Sequence, residues 1–182
     1  MTDDRIIDRQ NIFDGRVVHL RVETIQKADG RTYQREIIEH HGAVAMVPID
    51  EEGNVILVRQ YRAAARKRML EIPAGALEPD ESPIACARRE LQEETGYYPE
   101  QLEEMGRFFV AASYTTEVIA VYLARDLRPS RLPGDIDEDI EVVKVPLARA
   151  LEAVHSGEID DAKTLIGLTW AAGRLGPDRV AS

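Results

Sequence analysis

One short segment, residues 75–97, constrains the fold more than any other part of the chain. Ser82 followed by Pro83 is typical of a helix start. A serine side chain accepts a hydrogen bond from a backbone N–H of the first turn, and proline has no backbone N–H that would be left unpaired there. Gly96 is the kind of residue that ends many helices, since glycine adopts the left-handed conformation without strain. The sequence therefore predicts a helix over residues 83–95 with a loop on either side.

The carboxylates of this helix crowd one side of it. At about 100° per residue, Glu93 and Glu94 lie within about 60° and 40° of Glu90. Like charges one turn apart destabilise a helix by roughly 0.2–0.5 kcal/mol per pair, so the cluster is unfavourable unless a cation lies on it. A divalent metal that prefers oxygen ligands would balance the charge. An acidic face exposed to solvent is the alternative, and helix geometry alone leaves both interpretations open.

The rest of the sequence predicts a mixed sheet with helices on its faces. Residues 18–24 alternate between hydrophobic and more polar, and a turn at Gly30 precedes a second strand over residues 32–39. Residues 43–49 are almost continuously apolar, which is typical of a strand covered on both faces. Further strands are expected at 55–58, 70–72, 106–110, 118–124 and 141–145, a loop at 125–139, and helices at 147–155 and 161–174. Strands interleaved with a few helices indicate an α/β (α+β) protein.

Composition limits the classes of function. The 182 residues include 23 Lys and Arg against 33 Asp and Glu, a formal net charge of −10 at pH 7. This balance argues against a nucleic-acid binder, whose affinity depends on cations that contact phosphates. It does not exclude a phosphorylated small molecule, because a bound divalent metal reverses the local field. The single cysteine allows no internal disulfide, and neither a membrane span nor a leader is visible, so we expect a cytoplasmic protein.

The spacing around the predicted helix matches a known signature. The segment fits G-x5-E-x7-R-E-U-x-E-E-x-G-U, where U is a bulky aliphatic residue, and so it resembles the Nudix hydrolases. Tyr97 is the one departure, at the final aliphatic position. The resemblance implies a Nudix-type α/β/α sandwich with a mixed sheet, which hydrolyses a nucleoside diphosphate linked to another group. Residues 1–41 would form a preceding antiparallel β segment at a dimer interface, and residues 42–182 the Nudix hydrolase domain.

The same resemblance implies roles for individual residues. Glu90 and Glu94 would bind Mg²⁺, with Mn²⁺ as a possible substitute, together with the backbone carbonyl of Ala74. Glu93 would be a third ligand or a neighbour of a ligand, and Arg89 would orient it. The remaining signature positions would hold the loop, helix and following loop in shape: Gly75, Glu81 and Gly96.

The residues before the signature resemble the subgroup that includes ADP-ribose pyrophosphatases. Residues 58–62 and 70–75 are similar to the segments in which arginines of that subgroup contact substrate phosphates. Arg59 and Arg62 are therefore candidate substrate ligands, and solvated strand ends are the alternative. Enzymes of this subgroup are commonly homodimers, so the resemblance implies a homodimer that acts on a small-molecule nucleotide.

One loop departs from the subgroup. ADP-ribose enzymes usually carry a proline 16 residues after the last signature glycine, where this chain has Ala112. The resemblance implies a nucleoside diphosphate sugar as the substrate, with ADP-ribose, hydrolysed to AMP and ribose 5-phosphate, as the first candidate. This departure leaves GDP-mannose, a dinucleoside polyphosphate, FAD or NADH open as alternatives. Glu117 matches a loop glutamate proposed as general base in such enzymes; Glu93 is the other candidate base, and an exposed loop glutamate is the alternative for Glu117. The intact signature disfavours a sensor that binds a nucleotide without hydrolysis.

Overall fold

The computed structural model describes residues 4–134 and 139–176. The chain divides into two compact units. The first comprises Met1–Gly42 and Phe108–Val118, and the second comprises Ala43–Arg107 and Ile119–Ser182. The functional division expected after residue 41 stays a prediction. No helix in the described part of the chain is long and apolar enough to span a membrane.

The first unit contains an antiparallel sheet of β1 (Arg5–Asp14), β2 (His19–Gln26) and β3 (Thr32–Glu39), in that order. Gly30 in the turn between β2 and β3 has φ 85°, a left-handed conformation that favours glycine. The expected N-terminal antiparallel segment is thus confirmed. β1 lacks the alternation that identified β2, because all of its residues are exposed.

The strands that follow are β4 (Ala43–Pro48), β5 (Asn54–Arg62), β6 (Lys67–Glu71), β7 (Ala74–Ala76), β8 (Tyr97–Phe109), β9 (Val118–Pro129) and β10 (Glu141–Pro146). In the second unit they form a mixed sheet in the order β7-β4-β9-β8 and an antiparallel sheet in the order β10-β5-β6. The apolar strand β4 pairs in parallel with β9 and antiparallel with β7.

Helices cover both faces of the mixed sheet. They are α1 (Pro83–Thr95), α2 (Leu147–Ser156) and α3 (Ala162–Leu175). Met46 of β4 packs with Leu91 of α1 in a buried cluster, whereas the next residue, Val47, lies beside Gly167 of α3. Because successive side chains of a strand point to opposite faces, α1 and α3 lie on opposite sides of β4. This arrangement confirms the predicted α/β/α sandwich.

Two strands are longer than the sequence predicts. β8 begins at Tyr97 instead of residue 106, and β9 continues to Pro129, into the expected loop. Both extensions are rich in polar and charged residues, and some of these pair between the two strands: Arg128 donates to Glu100, and Gln101 donates to Asp126. Such cross-strand pairs stabilise a sheet but leave no apolar alternation in the sequence.

Candidate active site

The helix α1 begins and ends where the sequence predicts. Ser82 Oγ accepts a hydrogen bond from the backbone N–H of Ala85 at 3.3 Å, and Pro83 is the first helical residue. Gly96 ends the helix with φ 79°, and its N–H donates to the Gln92 carbonyl. These caps define the first and last residues of α1.

Arg89 binds three glutamates at once. Its guanidinium donates to Glu81 from Nε at 2.9 Å and from Nη2 at 2.8 Å. Nη1 donates to Glu90 at 2.7 Å and to Glu93 at 3.0 Å. The hydrogen bonds from Arg89 are the main cause that lowers the pKa of Glu81 to about 2, and Glu81 in turn raises the pKa of Arg89. Three carboxylates on one guanidinium leave an excess of negative charge at this face of α1.

Two further contacts bring the predicted metal ligands together. A Cβ added to Gly75 would lie 1.9 Å from Glu90 Cδ, so only glycine allows the Glu90 carboxyl group to lie against the backbone here. Glu94, 4% exposed, accepts a hydrogen bond from the backbone N–H of Ala74 at 3.1 Å. The structure therefore gathers Ala74, Glu90 and Glu94 around the first residues of β7.

This donor set suits a hard divalent cation. Two carboxylates and a backbone carbonyl supply only oxygen, the ligand atom that such cations prefer. Among residues 4–134 and 139–176, no group of three or more His, Cys, Asp or Glu side chains is placed to hold a metal ion.

The two candidate phosphate ligands lie on β5 and have different partners. Arg62 donates two hydrogen bonds to Glu71 from one edge of its guanidinium, from Nε to Oε1 at 2.8 Å and from Nη2 to Oε2 at 2.7 Å. Arg59 forms a looser pair with the exposed Glu141 at 3.4 Å. The Arg62 side chain is 40% exposed and that of Arg59 is 41% exposed, so each is accessible to a ligand. The structure holds Arg62 in one orientation more firmly than Arg59.

Glu117 lies in the first unit, in the loop before β9. Its backbone N–H donates to Thr115 Oγ1 at 3.2 Å, and its carbonyl accepts from the Val110 N–H at 3.1 Å. These bonds define the backbone around the half-buried glutamate. The carboxylates of α1 belong to the second unit, and the role of Glu117 as general base stays a prediction.

Sequence reasoning missed the polar residues that surround Arg62. Glu71 is 1% exposed and also contacts Lys163 of α3, which in turn binds Asp161 at 3.0 Å. The available signal was a single charged residue between Leu70 and the buried Ile72. An acidic residue flanked by apolar residues indicates a buried ion pair, because an unpaired buried carboxylate is costly.

The profile of the NUDIX domain matches residues 39–166, which is more than half of the chain. The chain belongs to the Nudix family. The family prediction made from the signature is thereby confirmed, and the Nudix match includes α1, β7 and the Arg62–Glu71 pair.

Two relatives and one solved structure are similar to this Nudix protein over nearly its whole length. It is 38% identical over 170 residues to a protein named ADP-ribose pyrophosphatase from Bacillus subtilis (strain 168), with 92% of each chain covered. Identity and coverage are the same for the Methanol dehydrogenase activator of Bacillus methanolicus. A crystal structure named ADP compounds hydrolase aligns with a TM-score of 0.84 at 25% identity, covering 94% of both chains. Equal identity to two differently named relatives defines the family but not the substrate.

Proposed function

We propose that this Nudix protein hydrolyses the pyrophosphate bond of a nucleoside diphosphate sugar, and that its substrate is ADP-ribose, which yields AMP and ribose 5-phosphate. One observation carries the proposal: Glu90 and Glu94 both contact the backbone at residues 74–75, beside an arginine that binds three carboxylates. This is an acidic, oxygen-lined site of the kind that binds a metal-complexed diphosphate. The relative and the solved structure named for ADP-ribose and ADP compounds support the substrate class.

Mg²⁺ is the proposed metal, and Mn²⁺ a substitute. Glu90, Glu94 and the Ala74 carbonyl would hold it, with Glu93 as a third ligand or as a neighbour of one. The bound metal would neutralise negative charge on the pyrophosphate and lower the pKa of a bound water.

The protein's own residues would position the reactants. Arg89 holds the Glu90 and Glu93 carboxylates through hydrogen bonds, and Arg62 would donate hydrogen bonds to a phosphate oxygen. Arg59 is a second candidate phosphate donor. Glu117 would remove the proton from the attacking water, with Glu93 as the alternative base.

Another nucleotide substrate is the second candidate. Ala112 stands where ADP-ribose enzymes usually have proline, and the loop of residues 111–117 carries this departure. GDP-mannose, a dinucleoside polyphosphate, FAD or NADH would use the same metal and the same chemistry. A non-hydrolysing nucleotide sensor is disfavoured, since the signature carboxylates are all present.

We also propose that the protein acts in the cytoplasm as a homodimer and binds neither nucleic acid nor membranes. Support for the dimer comes from the edge strand β1, whose large apolar side chains are about half exposed: Ile6, Ile7, Ile12 and Phe13. An exposed apolar edge strand is a surface that a partner strand covers. Sedimentation at micromolar concentration should give twice the 20.4 kDa chain mass, and a monomer would contradict the proposal.

The test of function is a substrate panel. Purified protein is incubated with ADP-ribose, GDP-mannose, a dinucleoside polyphosphate or NADH, with Mg²⁺ or with EDTA, and the products are separated by chromatography. Fast Mg²⁺-dependent release of AMP from ADP-ribose would support the first candidate. Preference for another substrate would retain the reaction and assign specificity to residues 111–117. Tight nucleotide binding without turnover would contradict hydrolysis and favour the sensor.

A further inference from the structure

Glu71 of β6 is the centre of a polar cluster in the second unit. The side chain is 1% exposed, and its two oxygens receive hydrogen bonds from Arg62 and Lys163. Burial raises the pKa of the Glu71 carboxyl, but the two cations more than offset this, so the pKa lies below its ordinary value. The buried carboxylate therefore stays charged and holds two cations at fixed positions.

The contact with Glu71 orients the Arg62 guanidinium. Nε and Nη2 form a fork on the two carboxylate oxygens, at 2.8 and 2.7 Å. Because the guanidinium is planar, this fork occupies one edge and directs Nη1 away from Glu71. The 40% exposure of the side chain leaves the group accessible to a ligand. Arg62 is thus anchored on one edge and can donate from the other.

Lys163 is held by the start of α3. Its side chain is 12% exposed and binds both Glu71 and Asp161. Asp161 caps the helix by accepting from the Thr164 N–H at 3.0 Å and from Thr164 Oγ1 at 2.6 Å. Thr164 Oγ1 also accepts the Ile72 N–H at 3.0 Å. The first turn of α3 therefore fixes both the Glu71 side chain and the backbone that follows it.

We propose that Lys163 is a positioning residue for the recognition of the substrate diphosphate. It shares the Glu71 carboxylate with Arg62 and fixes the plane of that carboxylate, so that the Arg62 guanidinium is held with Nη1 available to a phosphate oxygen. This inference rests on the proposed function, in which Arg62 contacts the diphosphate. Without Lys163, Glu71 is free to turn, and Arg62 alone has to balance a buried charge. Diphosphate and Glu71 then compete for the same guanidinium.

The experiment compares Lys163→Met, which keeps the aliphatic part of the side chain, with Lys163→Arg, which restores the cation. Lys67→Met is the matched control, because Lys67 pairs with Asp160 next to the cluster while both side chains are about half exposed. KM and kcat are measured with ADP-ribose at saturating Mg²⁺, and the Kd of ADP with Mg²⁺ is measured by calorimetry. We expect Lys163→Met to raise KM and Kd about tenfold with kcat within about twofold, because an interaction equal in ground and transition states is lost. Lys163→Arg should recover most of the affinity, and Lys67→Met should match the wild type.

A purely structural role for Lys163 gives a different result. Lys163→Met would then lower the thermal midpoint and the active fraction while KM and the Kd of ADP stay unchanged, and this outcome overturns the inference. Lys163→Gln provides the same comparison if the Met variant does not fold. A wild type that binds ADP but hydrolyses no substrate contradicts the proposed function alone, and the Kd values still decide the role of Lys163. A wild type that neither binds ADP nor hydrolyses contradicts both proposals.

Discussion

The cluster around Arg89 and the cluster around Glu71 are built from the same kinds of side chain in opposite proportions. At α1, one guanidinium binds three carboxylates that remain 12–24% exposed. At β6, one carboxylate, 1% exposed, binds a guanidinium and an ammonium. The first arrangement has an excess of anions at an accessible face, and the second uses a buried anion to orient cations.

Under the proposed function, each cluster has a separate task. Surplus carboxylates would bind a divalent cation, whereas an arginine anchored on one edge would donate to a phosphate oxygen from the other. A metal-bound diphosphate would use both kinds of contact. The two clusters are linked through residues 71–75, because Glu71, Ile72 and Ala74 each form a hydrogen bond to a helix or strand of the second unit.

The largest effect on activity is expected from the proposed metal ligands of α1. Glu94→Gln removes a charged ligand but retains an acceptor for the Ala74 N–H, and kcat should fall about 10³-fold while the fold is kept. Steady-state kinetics and far-UV circular dichroism measure the two properties. Glu152→Gln on α2 is the exposed control and should match the wild type. A loss below tenfold would mean that Glu94 does not hold the metal.

Arg89→Met tests the anion excess directly. Three carboxylates would then repel one another without the Arg89 guanidinium, and the free energy of unfolding should fall by about 3 kcal/mol. Urea denaturation in EDTA measures the loss, and Mg²⁺ should recover part of it. The control, Arg107→Met, removes an exposed pair with Glu104 and should cost less than about 1 kcal/mol. Equal losses for the two variants would show that the α1 cluster is an ordinary surface network.

Glu71→Gln tests the charge of the Glu71 cluster through the pH dependence of stability. The folded-state pKa of Glu71 lies below its ordinary value of 4.5, so its stabilisation is complete above about pH 5 and is lost as the pH falls through the folded value. The variant should be about 2 kcal/mol less stable than the wild type at pH 7, and the difference should shrink towards pH 3. Urea denaturation across this range measures it.

Glu100→Gln removes an exposed pair with Arg128 and is the control for the pH series. Its effect should stay within about 1 kcal/mol at every pH. A difference between Glu71→Gln and wild type that does not change with pH would show that Glu71 acts through packing and not through its charge.

The two clusters also differ in how far the sequence predicts them. The start and end of α1 depend on neighbouring residues, Ser82, Pro83 and Gly96, so the helix was predictable to the residue. The Arg89–Glu93 contact follows from i,i+4 spacing. Glu81 was assigned to the loop by resemblance, but its contact with Arg89 depends on the path of the loop, which spacing does not define.

The partners of Glu71 could not be predicted, because they are not its neighbours in the sequence. Glu71 and Lys163 are 92 residues apart in the sequence, and only the packing of α3 brings them together. The full length of β8 was not predicted for a related reason, since its polar side chains pair with β9 and show no local pattern in the sequence. Local signals therefore predicted the helix that carries the candidate site, and long-range pairing decided what surrounds it.

Gly75→Ala gives the smallest expected effect and tests how closely the Glu90 carboxyl group must lie to the backbone. The new Cβ would lie 1.9 Å from Glu90 Cδ, so the side chain has to move away from Ala74 and Glu94. We expect about a tenfold loss of kcat and a higher Mg²⁺ requirement, because displacement of one ligand weakens the site without removing it. Gly173→Ala in α3 is the matched control: a Cβ there meets nothing within 4 Å, and activity should be unchanged with stability raised by about 0.4–1 kcal/mol. If Gly75→Ala keeps the wild-type Mg²⁺ dependence, the contact of Glu90 with the backbone is not needed for metal binding. The proposed metal site would then depend on Glu94 and on the negative charge around Arg89.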